Sequence, residues 1–143
     1  MLTAYIALGA NLASWVGTPQ ATLAAALPWL EQLGRVTARS SLYKTEPVGF
    51  AEQPQFVNAV VALETELEPG ALLHGLLEIE KEFGRDRSVS IPNGPRTLDL
   101  DILLVGHLEV NEPGLELPHP RLTDRAFVLV PLHEIAQIGR AHV

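Results

Sequence analysis

The chain has 143 residues, no cysteine, and seventeen acidic against ten basic residues, for a net charge of −7. That length leaves room for one domain, taken as residues 1–143, and excludes two ordinary ones. The missing cysteine excludes disulfides, a thiolate nucleophile, a Cys-ligated zinc site and an iron–sulfur cluster, and the acidity argues against non-specific nucleic-acid binding.

The first charged side chain is Glu31. The uncharged start has no basic n-region and is interrupted by Gly9, Asn11, Ser14, Gly17, Thr18, Pro19 and Gln20. It is therefore neither a secretory signal nor a run of about 20 apolar residues able to span a bilayer. A soluble, cytoplasmic monomer with no nucleic-acid or membrane partner is expected.

Leu2 to Leu8 reads as a strand ending at the turn signal Gly9-Ala10-Asn11. Thr18-Pro19 is an N-cap with proline at the first helical position, so Ala21 to Leu27 is predicted helical. Pro28 should kink or end that helix, and Gly34 reads as its C-terminal cap. Val36 to Thr45 is predicted as one strand, Glu46 to Gln55 as a loop, and Phe56 to Thr65 as a strand. Pro69 opens a second helix, with Leu72, Leu73, Leu76, Ile79 and Phe83 on one face and Gly84 ending it. Arg85 to Pro95 is a loop and Thr97 to Val105 a strand stopped by Gly106. A hairpin follows around Glu109 to Leu117, then a loop or single turn from Pro118 to Arg125. Phe127 to Ile135 fits either a helix or a strand. The order β-α-β-β-α-β with a tail predicts an α+β, ferredoxin-like sandwich. Its four-stranded antiparallel sheet carries both helices on one face, with an extra C-terminal hairpin. Loops or a site should cover the other face.

The chemistry concentrates in Pro95-Arg96-Thr97-Leu98-Asp99-Leu100-Asp101-Ile102-Leu103-Leu104. Strand periodicity sends Leu98, Leu100, Ile102 and Leu104 to the core and places Asp99 and Asp101 together on the opposite face. Two carboxylates so placed repel each other and call for a cation. Hard oxygen ligands on adjacent rungs suit Mg²⁺ with phosphate oxygens. Lys81, Arg85, Arg87 and Arg96 lie within sixteen residues. Metal plus arginines is the composition of a polyphosphate site; a solvated acidic edge strand is the other reading of the bare motif. The chain has no phosphate-binding glycine loop, no G-x-S-x-G elbow and no H-E-x-x-H spacing.

The chain resembles the 6-hydroxymethyl-7,8-dihydropterin pyrophosphokinases of folate biosynthesis. The resemblance rests on Ala4-Tyr5-Ile6-Ala7-Leu8-Gly9-Ala10-Asn11-Leu12, Ser41-Leu42-Tyr43-Lys44-Thr45, Gln53-Pro54-Gln55-Phe56-Val57-Asn58-Ala59 and Gly94-Pro95-Arg96-Thr97-Leu98-Asp99-Leu100-Asp101-Ile102-Leu103. Leu117-Pro118-His119-Pro120-Arg121 and Arg125-Ala126-Phe127-Val128-Leu129-Val130-Pro131-Leu132 complete it. It implies transfer of the pyrophosphoryl group of ATP to the hydroxymethyl oxygen of the reduced pterin, with AMP leaving. It implies two Mg²⁺ ions held by Asp99 and Asp101, with Arg85 and Arg96 as catalytic phosphate contacts. ATP contacts are implied at Glu80, Arg85, Arg87, Arg96, Ile102, His119 and Arg125, and pterin contacts at Thr45, Pro47, Val48, Phe56, Asn58 and Phe127.

The residues themselves leave alternatives open. Arg85 also suits a helix C-terminus, and Glu80 reads as an exposed helical glutamate. Phe56 and Phe127 read as core without the resemblance, whereas a flat heterocycle wants such rings on its faces. Asn58, in an apolar strand, needs polar partners that a ligand edge would supply. The sequence departs from the family in Ser88 to Asn93, which lacks the arginine and tryptophan of some relatives, and at Gly114 and Leu77. A divalent-metal phosphohydrolase and an inactive pterin- or nucleotide-binding module are the competing readings.

Overall fold

Residues 1–47, 52–85, 95–122 and 125–141 are described by the structure, a computed structural model. Strand β1 (Leu2–Ala10) leads to helix α1 (Pro19–Leu30), then β2 (Arg35–Arg39), β3 (Tyr43–Thr45) and β4 (Phe56–Thr65). Helix α2 (Pro69–Glu82), β5 (Asp99–Val105), the hairpin β6 (Val110–Glu112) and β7 (Leu115–Leu117), and helix α3 (Ala126–Ala141) complete the chain. The main sheet is antiparallel, in the order β2-β4-β1-β5, with β3 also paired to β4.

Local sequence explains most of these boundaries. The Thr18 hydroxyl accepts the Ala21 amide at 3.2 Å and Pro19 occupies the first turn of α1, as its N-cap pattern requires. Pro28 does not end α1; the helix runs to Leu30, which is fully buried. One missing hydrogen bond near a helix end is outweighed by that packing. Gly34 is not the cap either. The chain passes so close to β4 there that a Cβ would lie 2.2 Å from the Glu64 carbonyl oxygen. Helix α2 buries Leu72, Leu76, Ile79 and Phe83 as its periodicity predicts, and Gly84 stops it at φ 88°, a conformation glycine adopts freely.

The strand expected over Val36 to Thr45 is broken in two, so the sheet has a fifth, short strand. Ser40 causes the break. Its hydroxyl accepts the Val60 amide at 2.9 Å while its own amide donates to the Val60 carbonyl, also at 2.9 Å. A side chain thus takes a place in the ladder that backbone would otherwise fill.

Two cores flank the sheet. Ala4, Ile6, Leu8 and Ala10 of β1 and Val57, Ala59, Val61 and Leu63 of β4 face α1 and α2. Val60, Ala62 and Leu103 face the other way, against Val128 and Ile135 of α3. The face expected to carry loops or a site is therefore half covered by a third helix, which also resolves the ambiguous segment Phe127 to Ile135. A β-bulge sets where that cover begins. Tyr5 pairs with Leu104 and Ile6 with Ile102, so Leu103 has no partner on β1. Leu103 keeps the face that alternation gives it, toward α3, and the bulge reverses the alternation beyond it, so that Val105, not Leu104, joins the first core.

Candidate active site

Beyond the end of the α3 cover, the second sheet face forms the floor of a pocket. Its walls include Ala7, Gly9, Thr45, Phe56, Asn58, Arg96, Asp99, Asp101, His119, Arg125 and Phe127. Strand register brings the floor together. Gly9 pairs with Asn58 on one side and with Asp99 on the other, and Ala7 pairs with Asp101. Small residues on the central strand keep this floor low; a Cβ on Gly9 would lie 2.9 Å from Asn58 Oδ1.

Asp99 and Asp101 do share this face. Asp99 sits between two guanidinium groups. Arg85 Nη1 donates to its Oδ1 at 2.5 Å and Arg96 Nη1 to its Oδ2 at 2.8 Å. Such charge-assisted pairs are strong when partly buried. Asp101, opposite Ala7, lies deeper. Burial, the neighbouring Asp99 and Glu80 push its pKa from 3.8 up to about 7, against the opposing pull of Arg96 and Arg85. A carboxyl so placed is stabilised in its charged form by a cation. Two carboxylates on adjacent rungs are the donor set that Mg²⁺ takes when phosphate oxygens and water complete its sphere. The Nε atoms of Arg85 and Arg96 and the hydroxyl of Thr97 are buried without a hydrogen-bond partner among the described residues. Buried polar atoms of this kind normally have partners, and an anionic ligand would supply acceptors for the two guanidiniums.

Glu80 is not an exposed helical residue: it is 1% exposed. Its Oε2 accepts Arg85 Nη1 at 3.2 Å and the Leu100 amide at 2.8 Å, so it ties the end of α2 to β5 and holds Arg85 against Asp99. Arg96 is fixed from the opposite side. The Asn11 carboxamide accepts the Arg96 amide at 2.8 Å and donates to Gln53 Oε1 and to the Pro54 carbonyl. Three loops thus meet at one side chain that is 4% exposed.

The bulge carbonyl of Leu103 accepts the His119 amide at 2.7 Å, which docks the 118–122 loop beside β5. His119 Nδ1 accepts the Arg121 amide at 3.1 Å. Burial first and Arg125 second lower the pKa of His119. With Nδ1 accepting the Arg121 amide, the ring proton is assigned to Nε2. Arg125 lies over the Phe127 ring, 5.6 Å from its centroid, a cation–π distance. Asn58 is 8% exposed and its amide donates to the Thr45 hydroxyl at 2.5 Å.

The pocket therefore gathers Thr45, Phe56, Asn58, Arg96, Asp99, Asp101, His119, Arg125 and Phe127. Arg85 and Glu80 stand behind Asp99, and the Ile102 side chain lies in the core against α1 and α2. Pro47 follows the pocket residues Thr45 and Glu46 but is not itself a wall. Val48 and Arg87 lie outside the described residues, as do Ser88 to Asn93. Arg121 and Leu122 also line the pocket and Asn11 braces it. Arg121 stands in the Leu-Pro-His-Pro-Arg string, which was the available signal for it.

Residues 5–137 match the family described as 7,8-dihydro-6-hydroxymethylpterin-pyrophosphokinase. The chain is 49% identical over 138 residues to the 2-amino-4-hydroxy-6-hydroxymethyldihydropteridine pyrophosphokinase of Haemophilus influenzae, covering 95% of this chain and 82% of that protein. It is 46% identical over 136 residues to the protein of the same name from Bacillus subtilis, covering 94% and 78%. Against the folate synthesis bifunctional protein of Arabidopsis thaliana, identity is 43% over 131 residues, 91% of this chain and 26% of that one.

Proposed function

Because the chain belongs to the 7,8-dihydro-6-hydroxymethylpterin-pyrophosphokinase family, we propose how its pocket performs that chemistry. The enzyme transfers the pyrophosphoryl group of ATP to 6-hydroxymethyl-7,8-dihydropterin in folate synthesis. The hydroxymethyl oxygen forms a bond to the β-phosphorus, the bond from that phosphorus to the α-bridging oxygen breaks, and AMP leaves. The observation that carries the assignment of sites is one pocket in which the Asp99–Asp101 pair and Arg96 stand beside the Asn58 and Phe127 wall.

Asp99 and Asp101 would hold two Mg²⁺ ions, which supply charge neutralisation to the triphosphate and acidify the attacking hydroxyl. Arg85 and Arg96 engage phosphate oxygens, with Arg96 held by Asn11 and Arg85 by Glu80. Fixed cations stabilise charge developing on transferred phosphoryl groups without reorganising. His119 presents its Nε2–H as a neutral donor to the nucleotide, and Arg125, with Arg87 and the main chain near Ile102, completes that side. Phe56 and Phe127 stack on the pterin, Asn58 reads its amide-like edge from the Thr45-anchored orientation, and Pro47 and Val48 close the rim. We also read the β2-β4-β1-β5 order, with α1 and α2 on one face, as a ferredoxin-like core. The chain acts as one catalytic domain, a monomer working on small molecules in the cytoplasm.

Incubation with Mg·ATP with and without the reduced pterin tests this reading. AMP should appear in step with pterin diphosphate and only when pterin is present. Asp101→Ala should lower turnover by at least a thousandfold, about 4 kcal/mol in the barrier, while circular dichroism stays native. Phosphate release that ignores pterin would instead identify a hydrolase. Binding of both ligands without turnover would identify an inactive module.

A further inference from the structure

Helix α3 reaches back to the sheet through one carboxylate. Glu134 Oε2 accepts the Ser41 amide at 3.0 Å and the Ser41 hydroxyl at 3.1 Å, and Oε1 accepts the Tyr43 hydroxyl at 2.5 Å. Three donors from one short stretch thus converge on one side chain. The Tyr43 bond and the Ser41 bonds hold the Glu134 carboxyl below the usual carboxylate range, as expected when hydrogen bonds favour the charged form.

The stretch it holds contains the shortest strand described in the sheet. β3 is three residues long and, among the described residues, pairs only with β4, with Tyr43 opposite Asn58 and Thr45 opposite Phe56. The break at Ser40 to Leu42 detaches it from β2, so the ladder of β2 does not brace it. A strand so short has little stability of its own. Yet Thr45, at its end, receives the Asn58 amide and so sets which way that carboxamide points. Helix α3 carries the facing wall. Phe127 and Glu134 are seven residues apart, two helical turns, and so share one side of the helix.

We propose that Glu134 is the positioning residue of the pterin subsite, acting through Ser41 and Tyr43 to set the distance between the Thr45–Asn58 wall and Phe127. The role rests on the functional reading above. Among the described residues, the hydrogen bonds of Glu134 go to Ser41 and Tyr43 and to none of the proposed phosphate contacts. Arg85, Arg96, Asp99 and Asp101 are held by Glu80, Asn11 and β5 and depend on neither β3 nor α3. The latch therefore bears on the pterin wall: its loss blurs that wall and leaves Arg85, Arg96, Asp99 and Asp101 in place.

Steady-state kinetics of Glu134→Ala, Glu134→Gln and Tyr43→Phe test this, alongside calorimetric titration with the reduced pterin and with a non-hydrolysable ATP analogue in Mg²⁺. Glu134→Ala should raise the KM and Kd for the pterin roughly tenfold, since misplacement of supporting groups by about 1 Å costs up to a hundredfold. The KM and Kd for the nucleotide should stay within about twofold. Glu134→Gln, which keeps a carbonyl acceptor, should recover part of the loss. Tyr43→Phe removes a single hydroxyl and should show the same selectivity at smaller size; it decides the question if Glu134→Ala does not fold. Equal weakening of both ligands, or no change in pterin affinity in either variant, would overturn the role. Wild-type protein that binds no pterin at all would overturn the functional reading itself, an outcome distinct from both.

Discussion

Asp101 is held against two opposing demands. The proposed mechanism needs its charge, while burial beside Asp99 and Glu80 penalises that charge and lifts the pKa to about 7. A carboxyl whose folded pKa lies above its unfolded value of 3.8 contributes nothing unfavourable below that value. Its penalty grows as pH rises toward about 7 and is complete above it. Without divalent cation, Asp101→Asn should therefore raise stability at pH 8 by up to about 4 kcal/mol, with the gain largely gone near pH 4. Thermal melts of both proteins at the two pH values measure it. Glu80 makes the complementary case. Glu80→Gln keeps the shape but removes the charge that holds Arg85, so kcat should fall about 10- to 100-fold while the pterin Kd stays unchanged. Both aspartates were legible in sequence because strand alternation places them without tertiary help. Glu80 had a signal too: Leu72, Leu76 and Glu80 are spaced at i, i+4 and i+8, which puts the glutamate on the buried stripe. Its charge argued the other way, since only the arriving Arg85 and the Leu100 amide make that burial tolerable.

At the scale of elements, the departures from local expectation occur where two segments approach each other. Gly34 is required by contact with β4, not by helix capping. Gly34→Ala should destabilise the fold by roughly 2–3 kcal/mol through overpacking against backbone, read as a lowered urea midpoint with an unchanged m-value. The split between β2 and β3 has the same character, since the Ser40 hydroxyl needs Val60 beside it. The bulge at Leu103 leaves no mark on the local pattern. Its residues, Ile102-Leu103-Leu104, are all apolar, so nothing in their polarity shows which of them faces which way.

For the whole molecule, α3 makes the second face a half-core and half-site. Ile135, 2% exposed, anchors that cover against Val60, Ala62 and Leu103. Ile135→Ala should cost about 2–4 kcal/mol of stability, and amide exchange should show α3 opening before the β1–β4 pair. Among the described residues no helix is long and apolar enough to cross a membrane. What the sequence by itself determined is what depends on short range: the strand and helix periods, the helix ends at Thr18 and Gly84, the shared face of Asp99 and Asp101, and the motif strings that carry the family resemblance. What only the tertiary structure decided depends on partners distant in the chain: the burial of Glu80 against β5, the convergence of three loops on Asn11, the bulge, and the latch from Glu134 to β3. The physical reason is common to all four. A polar group or an extra residue is tolerated inside a fold only because of the neighbour that meets it, and that neighbour lies tens of residues away along the chain.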